Sequence, residues 1–200
     1  KAACADGLPG QGGDYMERML NAARRMQTLI NDLLTFSRVT TQARPHVPVD
    51  LNTVLGEVLS DLEVRIEQTG ARVDVGALPT VQADPTQMRQ LFQNLVGNAL
   101  KFRRAEEDPQ IRIRAESVDA VHRITVADNG IGCEDKYADR IFGIFQRLHG
   151  RGEYEGTGIG LAVCQKIIHR HGGQIVAKGE PGRGATFIVS LPVEHQGSTT

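Results

Sequence analysis

Apolar positions near the start of the chain fall on a stripe. Tyr15, Met19, Ala22, Met26, Leu29, Leu33 and Phe36 succeed one another in alternating steps of four and three. That is the heptad seam of a coiled coil, and it predicts a helix from about Asp14 to Val39. Ile30 and Leu34 broaden the seam into the wider face of a helix bundle. One helix cannot bury such a face alone. It packs either on its own domain or in a dimeric bundle, and the polar stretch Thr40 to Pro48 favours the bundle. With Arg44, Pro45, His46 and Pro48 that stretch reads as an extended, hinge-like connector. Residues 1–13 carry Gly7, Pro9, Gly10, Gly12 and Gly13 and read as a loop or a disordered end.

From Asp50 the pattern changes. Asp50 suits a helix N-cap, Leu51, Leu55, Val58, Leu62 and Ile66 follow at helical spacing, and Gly70 is the stop. Short strands are expected at 71–75 and 80–82. Asp84 and Pro85 open a second helix over about 85–102. Alternating segments at 110–117 and 121–127 read as paired strands, followed by a loop-rich stretch from 129 to 157. A third helix is expected over about 159–170, and two strands near 174–178 and 184–191. Three helices against an antiparallel or mixed sheet make an α+β, two-layer sandwich.

The 200 residues, 40% of them hydrophobic, suffice for one well-buried domain and a smaller element. With 23 basic and 24 acidic side chains the net charge is −1, which asks for neither nucleic acid nor membrane contact. No apolar run approaches a membrane-spanning length. Cys4, Cys133 and Cys164 are an odd set without paired spacing, so a reduced, cytoplasmic compartment is the simplest reading, and no Cys/His cluster has zinc spacing. A start at Lys1 without methionine reads as an excised fragment, whose parent could be membrane-anchored.

Three short motifs carry candidate chemistry. In NLVGNALKF, residues 94–102, Asn94, Asn98 and Lys101 run along a line beside the apolar line of Met88, Phe92, Leu95, Ala99 and Phe102. An amide oxygen suits Mg²⁺ and a lysine one turn on suits phosphate, although solvated amides on an amphipathic helix look the same. DNGIG, residues 128–132, follows a strand. Its aspartate can accept from an adenine amino group, and its glycines admit a flat base, yet such a sequence is also an ordinary turn. GTGIGL, residues 156–161, opens a helix whose N-terminal N–H groups favour anions, or it is a flexible glycine loop. No Gly-Lys-Ser/Thr follows it, so it is not a Walker loop.

In this order and spacing, with Phe142 and Phe145 between the last two, the motifs resemble the catalytic domain of sensor histidine kinases. That domain belongs to the ATPase group that includes gyrase and mismatch-repair ATPases. The resemblance covers about residues 50–192, and RMQTLINDLLTFSRV resembles the second helix of the dimerisation and phosphotransfer domain. It implies a Bergerat-type ATP-binding fold. It divides the chain into a partial dimerisation region at 1–40, a linker at 41–49, the catalytic domain at 50–195 and a tail at 196–200.

The resemblance also implies roles. Asn98 would hold Mg²⁺, Asn94 would lie beside the phosphates and Lys101 would bind phosphate, with Asn98 and Lys101 catalytic. Asp128 would read the adenine amino group, and Gly130 and Gly132 would shape the base pocket. Phe142 and Phe145 would anchor a lid over ATP, and Arg147 would reach the terminal phosphates. Gly156, Gly158 and Gly160 would contact phosphates, with Thr157 and Leu161 in the same loop. Thr186 would lie near the adenine-binding aspartate. Arg103 and Arg151 are phosphate neighbours or solvated surface charges. The phosphoryl acceptor in the family is a histidine on the first bundle helix. None of His46, His122, His149, His169, His171 and His195 lies on the predicted bundle helix. The implied reaction is transfer of the ATP γ-phosphoryl group to a histidine on a helix outside this sequence. From there it passes to an aspartate of a response-regulator receiver domain, in a protein that dimerises through the bundle. A nucleotide-binding scaffold without kinase activity and a hydrolytic ATPase of the same group are the alternatives.

Overall fold

The computed structural model describes residues 10–147, 154 and 156–193. The chain order is α1 (Gly10–Thr41), β1 (Val47–Asp50), α2 (Leu51–Asp61), α3 (Glu63–Thr69), β2 (Arg72–Val75), β3 (Thr80–Ala83), α4 (Pro85–Lys101), β4 (Gln110–Val118), β5 (Val121–Asp128), α5 (Gly160–Arg170), β6 (Gln174–Glu180) and β7 (Gly184–Pro192). Short 3₁₀ turns at Asp135–Tyr137 and Arg140–Phe142 lie between β5 and α5. The architecture is the expected α+β sandwich. One mixed sheet runs β2-β4-β5-β7-β6, with β2 parallel to β4 and the other pairs antiparallel. Helices α2 to α5 cover one face. Ile111, Ile113, Ile124, Val126, Phe187 and Val189 from the sheet meet Leu91, Phe92, Leu95, Ile167 and Ile168 from the helices in one core.

Four local expectations change. Helix α1 begins at Gly10, so the glycines at 10, 12 and 13 lie within it rather than in a loop. The helix predicted from Asp50 to Gly70 breaks at Leu62, whose ψ of 2° ends α2 and starts α3. The second of the short strands, β3, pairs with β1 in a separate two-stranded sheet. The connector is not an open hinge. Its last residues form β1, with Pro48 tolerated because the strand is an edge.

The connector is also pinned. Asp84, buried at the N-terminus of α4, caps that helix by accepting from the N–H groups of Thr86 and Gln87 at 3.0 and 3.3 Å. Its second oxygen accepts from the Arg44 N–H at 2.8 Å. The Asp84 N–H donates to His171 Nε2 at 3.0 Å, so the buried His171 is the neutral tautomer that donates from Nδ1 to the Ile167 carbonyl at 2.7 Å. His46 stacks on that ring at 4.4 Å.

Candidate functional site

Between α4, β5, β7 and the N-terminus of α5 lies a cavity of about 390 Å³. It brings together Asn94, Asn98, Lys101, Asp128, Gly132, Arg147, Gly156, Thr157, Gly158, Gly160 and Leu161. Gly130, Thr186 and Arg103 are outside its lining. The Gly130 N–H donates to Asp128 Oδ1 at 2.8 Å. Thr186 alternates with the lining residues Ala185 and Phe187 and so faces the other side of the sheet. Arg103 is exposed. The expectations for His149, Arg151, His195 and the tail lie outside the described residues.

At one end stands Asp128, the last residue of β5. Its Oδ1 also accepts from the Ala185 N–H at 3.2 Å, which leaves Oδ2 for an incoming donor. Burial pushes the carboxyl up from its ordinary range, and the N–H groups of Gly130 and Ala185 pull it partly back. Ile131, Cys133 and Phe187 complete this end. The backbone around it is close-packed. A Cβ on Gly132 would sit 2.1 Å from the Glu180 carbonyl oxygen, and one on Gly184 would sit 1.9 Å from that of Asp128. Gly132 of DNGIG therefore serves packing of protein on protein as well as any access for a base.

The other end is built differently. Helix α5 starts at Gly160 after Ile159, with no capping side chain among the described residues, so its first N–H groups are offered to the cavity. Asn94 and Asn98 approach from α4, Gly160 being close enough that a Cβ there would meet Asn94 Oδ1 at 3.3 Å. Asn94 Nδ2 is buried without a hydrogen-bond partner of ordinary geometry among the described residues, apart from the Cys164 sulfur beside it. That thiol is held protonated by burial, its pKa pushed up to about 12. Lys101 Nζ lies 4.3 Å over the Phe102 ring and against Gly156. Arg147 donates to the carbonyls of Gly156 and Tyr154 at 2.7 and 2.5 Å. Phe142 is buried while Phe145 is exposed and at a positive φ of 64°.

Several lining residues had no role assigned from the sequence: Thr28 and Asp32 of α1, Arg65 of α3, Gln93, Gln146 and Tyr154. Only packing in three dimensions brings α1 to the cavity. An orphaned amide, amide oxygens one turn apart, a lysine and an uncapped helix fit a polyphosphate with a hard cation. The half-buried carboxylate and apolar walls fit a base with an exocyclic amine.

Comparison with known proteins agrees with this geometry. Residues 83–195 match the family model described as histidine kinase-, DNA gyrase B-, and HSP90-like ATPase. Cyanobacterial phytochrome A of Nostoc sp. strain PCC 7120 is 46% identical over 188 residues, 94% of this chain and 24% of that protein. The chain thus spans about a quarter of the length of that curated relative. Full-length ShkA, solved in complex with AMPPNP, superposes with a TM-score of 0.73 at 29% identity over 94% of this chain and 40% of that one. The nucleotide-free catalytic domain of histidine kinase ThkA gives 0.62 at 28% identity, over 75% of this chain and 97% of that one. ThkA in complex with the response regulator TrrA gives 0.71 at 24% identity, over 95% and 54%. The chain belongs to the histidine kinase-, DNA gyrase B- and HSP90-like ATPase family, on its histidine-kinase side.

Proposed function

We propose that this chain is the ATP-binding catalytic part of a two-component sensor kinase. It would pass the γ-phosphoryl group of ATP to a histidine on a helix outside this sequence, and from there to an aspartate of a response-regulator receiver domain. The observation that carries the reading is the polarity of the cavity. A half-buried carboxylate stands at its apolar end, and an uncapped helix with Lys101, Asn94 and Asn98 at its polar end. The ShkA complex with a nucleotide analogue and the ThkA complex with a response regulator are consistent with it.

In this reading Asp128 Oδ2 accepts from the adenine amino group, and Ile131 and Phe187 flank the base. The N–H groups of Gly160 and Leu161 and the Lys101 ammonium hold phosphate oxygens. Asn98, with Asn94 beside it, would hold Mg²⁺, which neutralises phosphate charge when bound. Positioning and charge neutralisation supply the catalysis, with no covalent chemistry by the protein. The exposed face of α1, with Tyr15, Met19, Met26, Ile30 and Leu33, is the surface for the dimeric bundle of the whole protein.

Two measurements test this. Calorimetric titration should give Mg²⁺-dependent ATP binding with strong preference over GTP; equal affinities would remove the Asp128 role. The full-length protein incubated with γ-labelled ATP should acquire an acid-labile, base-stable label. ATP binding without that label would favour the scaffold reading.

A further inference from the structure

Helix α1 reaches the nucleotide cavity. Thr28 and Asp32 line it, and the Thr157 hydroxyl, in the glycine loop before α5, donates to Asp32 Oδ2. This meeting spans 125 residues of chain. Three contacts outside the cavity hold the helix in place. Lys166 of α5 donates from Nζ to the Phe36 carbonyl at 3.0 Å, and its ammonium lies 4.3 Å over the Phe36 ring. Gln87 of α4 donates to the Val39 carbonyl at 2.8 Å, satisfying one of the carbonyls that the C-terminus of α1 leaves open. Val39 itself is buried in the domain core. Beyond the helix, Arg170 donates to the Arg44 carbonyl at 2.7 Å and fixes the connector.

The pinned helix therefore places a carboxylate at the end of the cavity that otherwise offers N–H donors, cations and neutral amide oxygens. Arg65, Lys101 and Arg147 line the same cavity, but no ion pair of Asp32 with any of them occurs among the described residues. Its partner is the neutral hydroxyl of Thr157, a residue of the loop expected to cradle phosphate. A polyphosphate entering here meets a fixed negative charge and must take over a hydroxyl that Asp32 occupies.

We propose that Asp32 is a selectivity-setting residue of the nucleotide site. While α1 is docked, its carboxylate opposes polyphosphate in proportion to phosphate charge, so nucleotide binding and the Asp32–Thr157 contact exclude one another. The inference rests on the phosphates lying at the α5 N-terminus, as set out under the proposed function. The ligand class it discriminates is the charge on the phosphate chain, not the base.

The test is calorimetric titration of the wild-type chain and the Asp32→Asn variant with adenosine, ADP and ATP, with and without Mg²⁺. Asparagine keeps the shape and still accepts from Thr157, so only charge changes. Asp32→Asn should tighten ATP roughly tenfold and ADP less, the size of one partly screened unit charge at this range. Adenosine affinity should be unchanged. Lys166→Gln, which loosens α1 outside the cavity, should give the same graded pattern at smaller amplitude. Unchanged or weaker ATP binding by Asp32→Asn overturns the proposal; weakening only with Mg²⁺ would make Asp32 a cation ligand instead. Tightening that includes adenosine equally also overturns it, because the effect would then not be one of charge. ATP binding by the wild type with no gain in the variant leaves the proposed function standing, whereas no nucleotide binding by either protein removes both.

Discussion

The two ends of the cavity are made in different ways. At the carboxylate end the shape comes from backbone packed on backbone: Gly132 against Glu180, Gly184 against Asp128, and Asp128 Oδ1 against two main-chain N–H groups. At the helix end it comes from long side chains resting on substitutes. Lys101 lies on the Phe102 ring, Arg147 on its own loop's carbonyls and Asp32 on Thr157. The first end is formed before any ligand arrives. A ligand at the second would have to take over each of these contacts, so its affinity there would include the cost of reorganisation. Base recognition should thus resemble a fixed socket and phosphate recognition a closing hand.

The largest effect should come from breaking the socket's frame. Gly184 has φ of 96° and no room for a Cβ, so Gly184→Ala should cost more than about 4 kcal/mol, through overlap and strain together. Gly182, two residues away in the same turn, has φ of 78° but open space around it. Gly182→Ala should cost only about 1–2 kcal/mol, the strain alone. Urea unfolding of the two variants compares them. Equal losses would mean that packing at the carboxylate end is loose enough to admit a Cβ.

Next in size is the specificity of the socket. In Asp128→Asn the amide oxygen can keep both backbone N–H groups, but the cavity then receives a donor. The preference for ATP over GTP should fall by at least about 100-fold, because an adenine amino group then meets a donor and a guanine carbonyl finds one. An unchanged preference would place base selection elsewhere.

The helix end should respond more weakly and only to charge. Lys101→Ala and Asn98→Ala should each weaken Mg²⁺·ATP about tenfold and leave adenosine unaffected, since each removes one of several groups facing the phosphates and none facing the base. If adenosine weakens in parallel, these side chains support the fold of α4 rather than the ligand.

The same contrast explains what was legible in the sequence. The carboxylate end and the α5 N-terminus are local: DNGIG and GTGIGL each place their groups within five or six residues. Helix α4 was legible too, because Asp84 and Pro85 mark its start and its apolar line is regular. What was not legible depends on distant partners. The break at Leu62 carries no glycine or proline, and β1 looks like a connector until β3 lies beside it. Asp32 is one acid among the polar positions of a bundle helix, with no signal that it would meet Thr157. Thr186 fitted the family pattern by position, yet strand alternation turns it to the far side of the sheet. Gly10 to Gly13 read as a loop because glycine weakens helices, but four residues cannot stop a helix that continues for seven turns.

The smallest effect follows from holding a carboxylate in the socket at all. Burial raises the Asp128 pKa above its ordinary 3.8, and the Gly130 and Ala185 N–H groups oppose that shift without cancelling it. The folded protein then binds this proton more tightly than the unfolded chain does. The stability it contributes is complete below about pH 3.8 and is lost as pH rises through the higher folded value. At neutral pH the socket carries an ionised group that weakens the fold, a strain that recognition of an adenine amino group would explain. Asparagine at this position has the same shape and does not titrate. Thermal melts of wild type and Asp128→Asn between about pH 3 and pH 7 should therefore diverge, with the variant gaining on the wild type as pH rises from 3.8. The opposite trend, wild type gaining as pH rises, would mean that the two N–H donors outweigh burial. The carboxylate would then be a support of the fold, and the socket would be built around its charge rather than in spite of it.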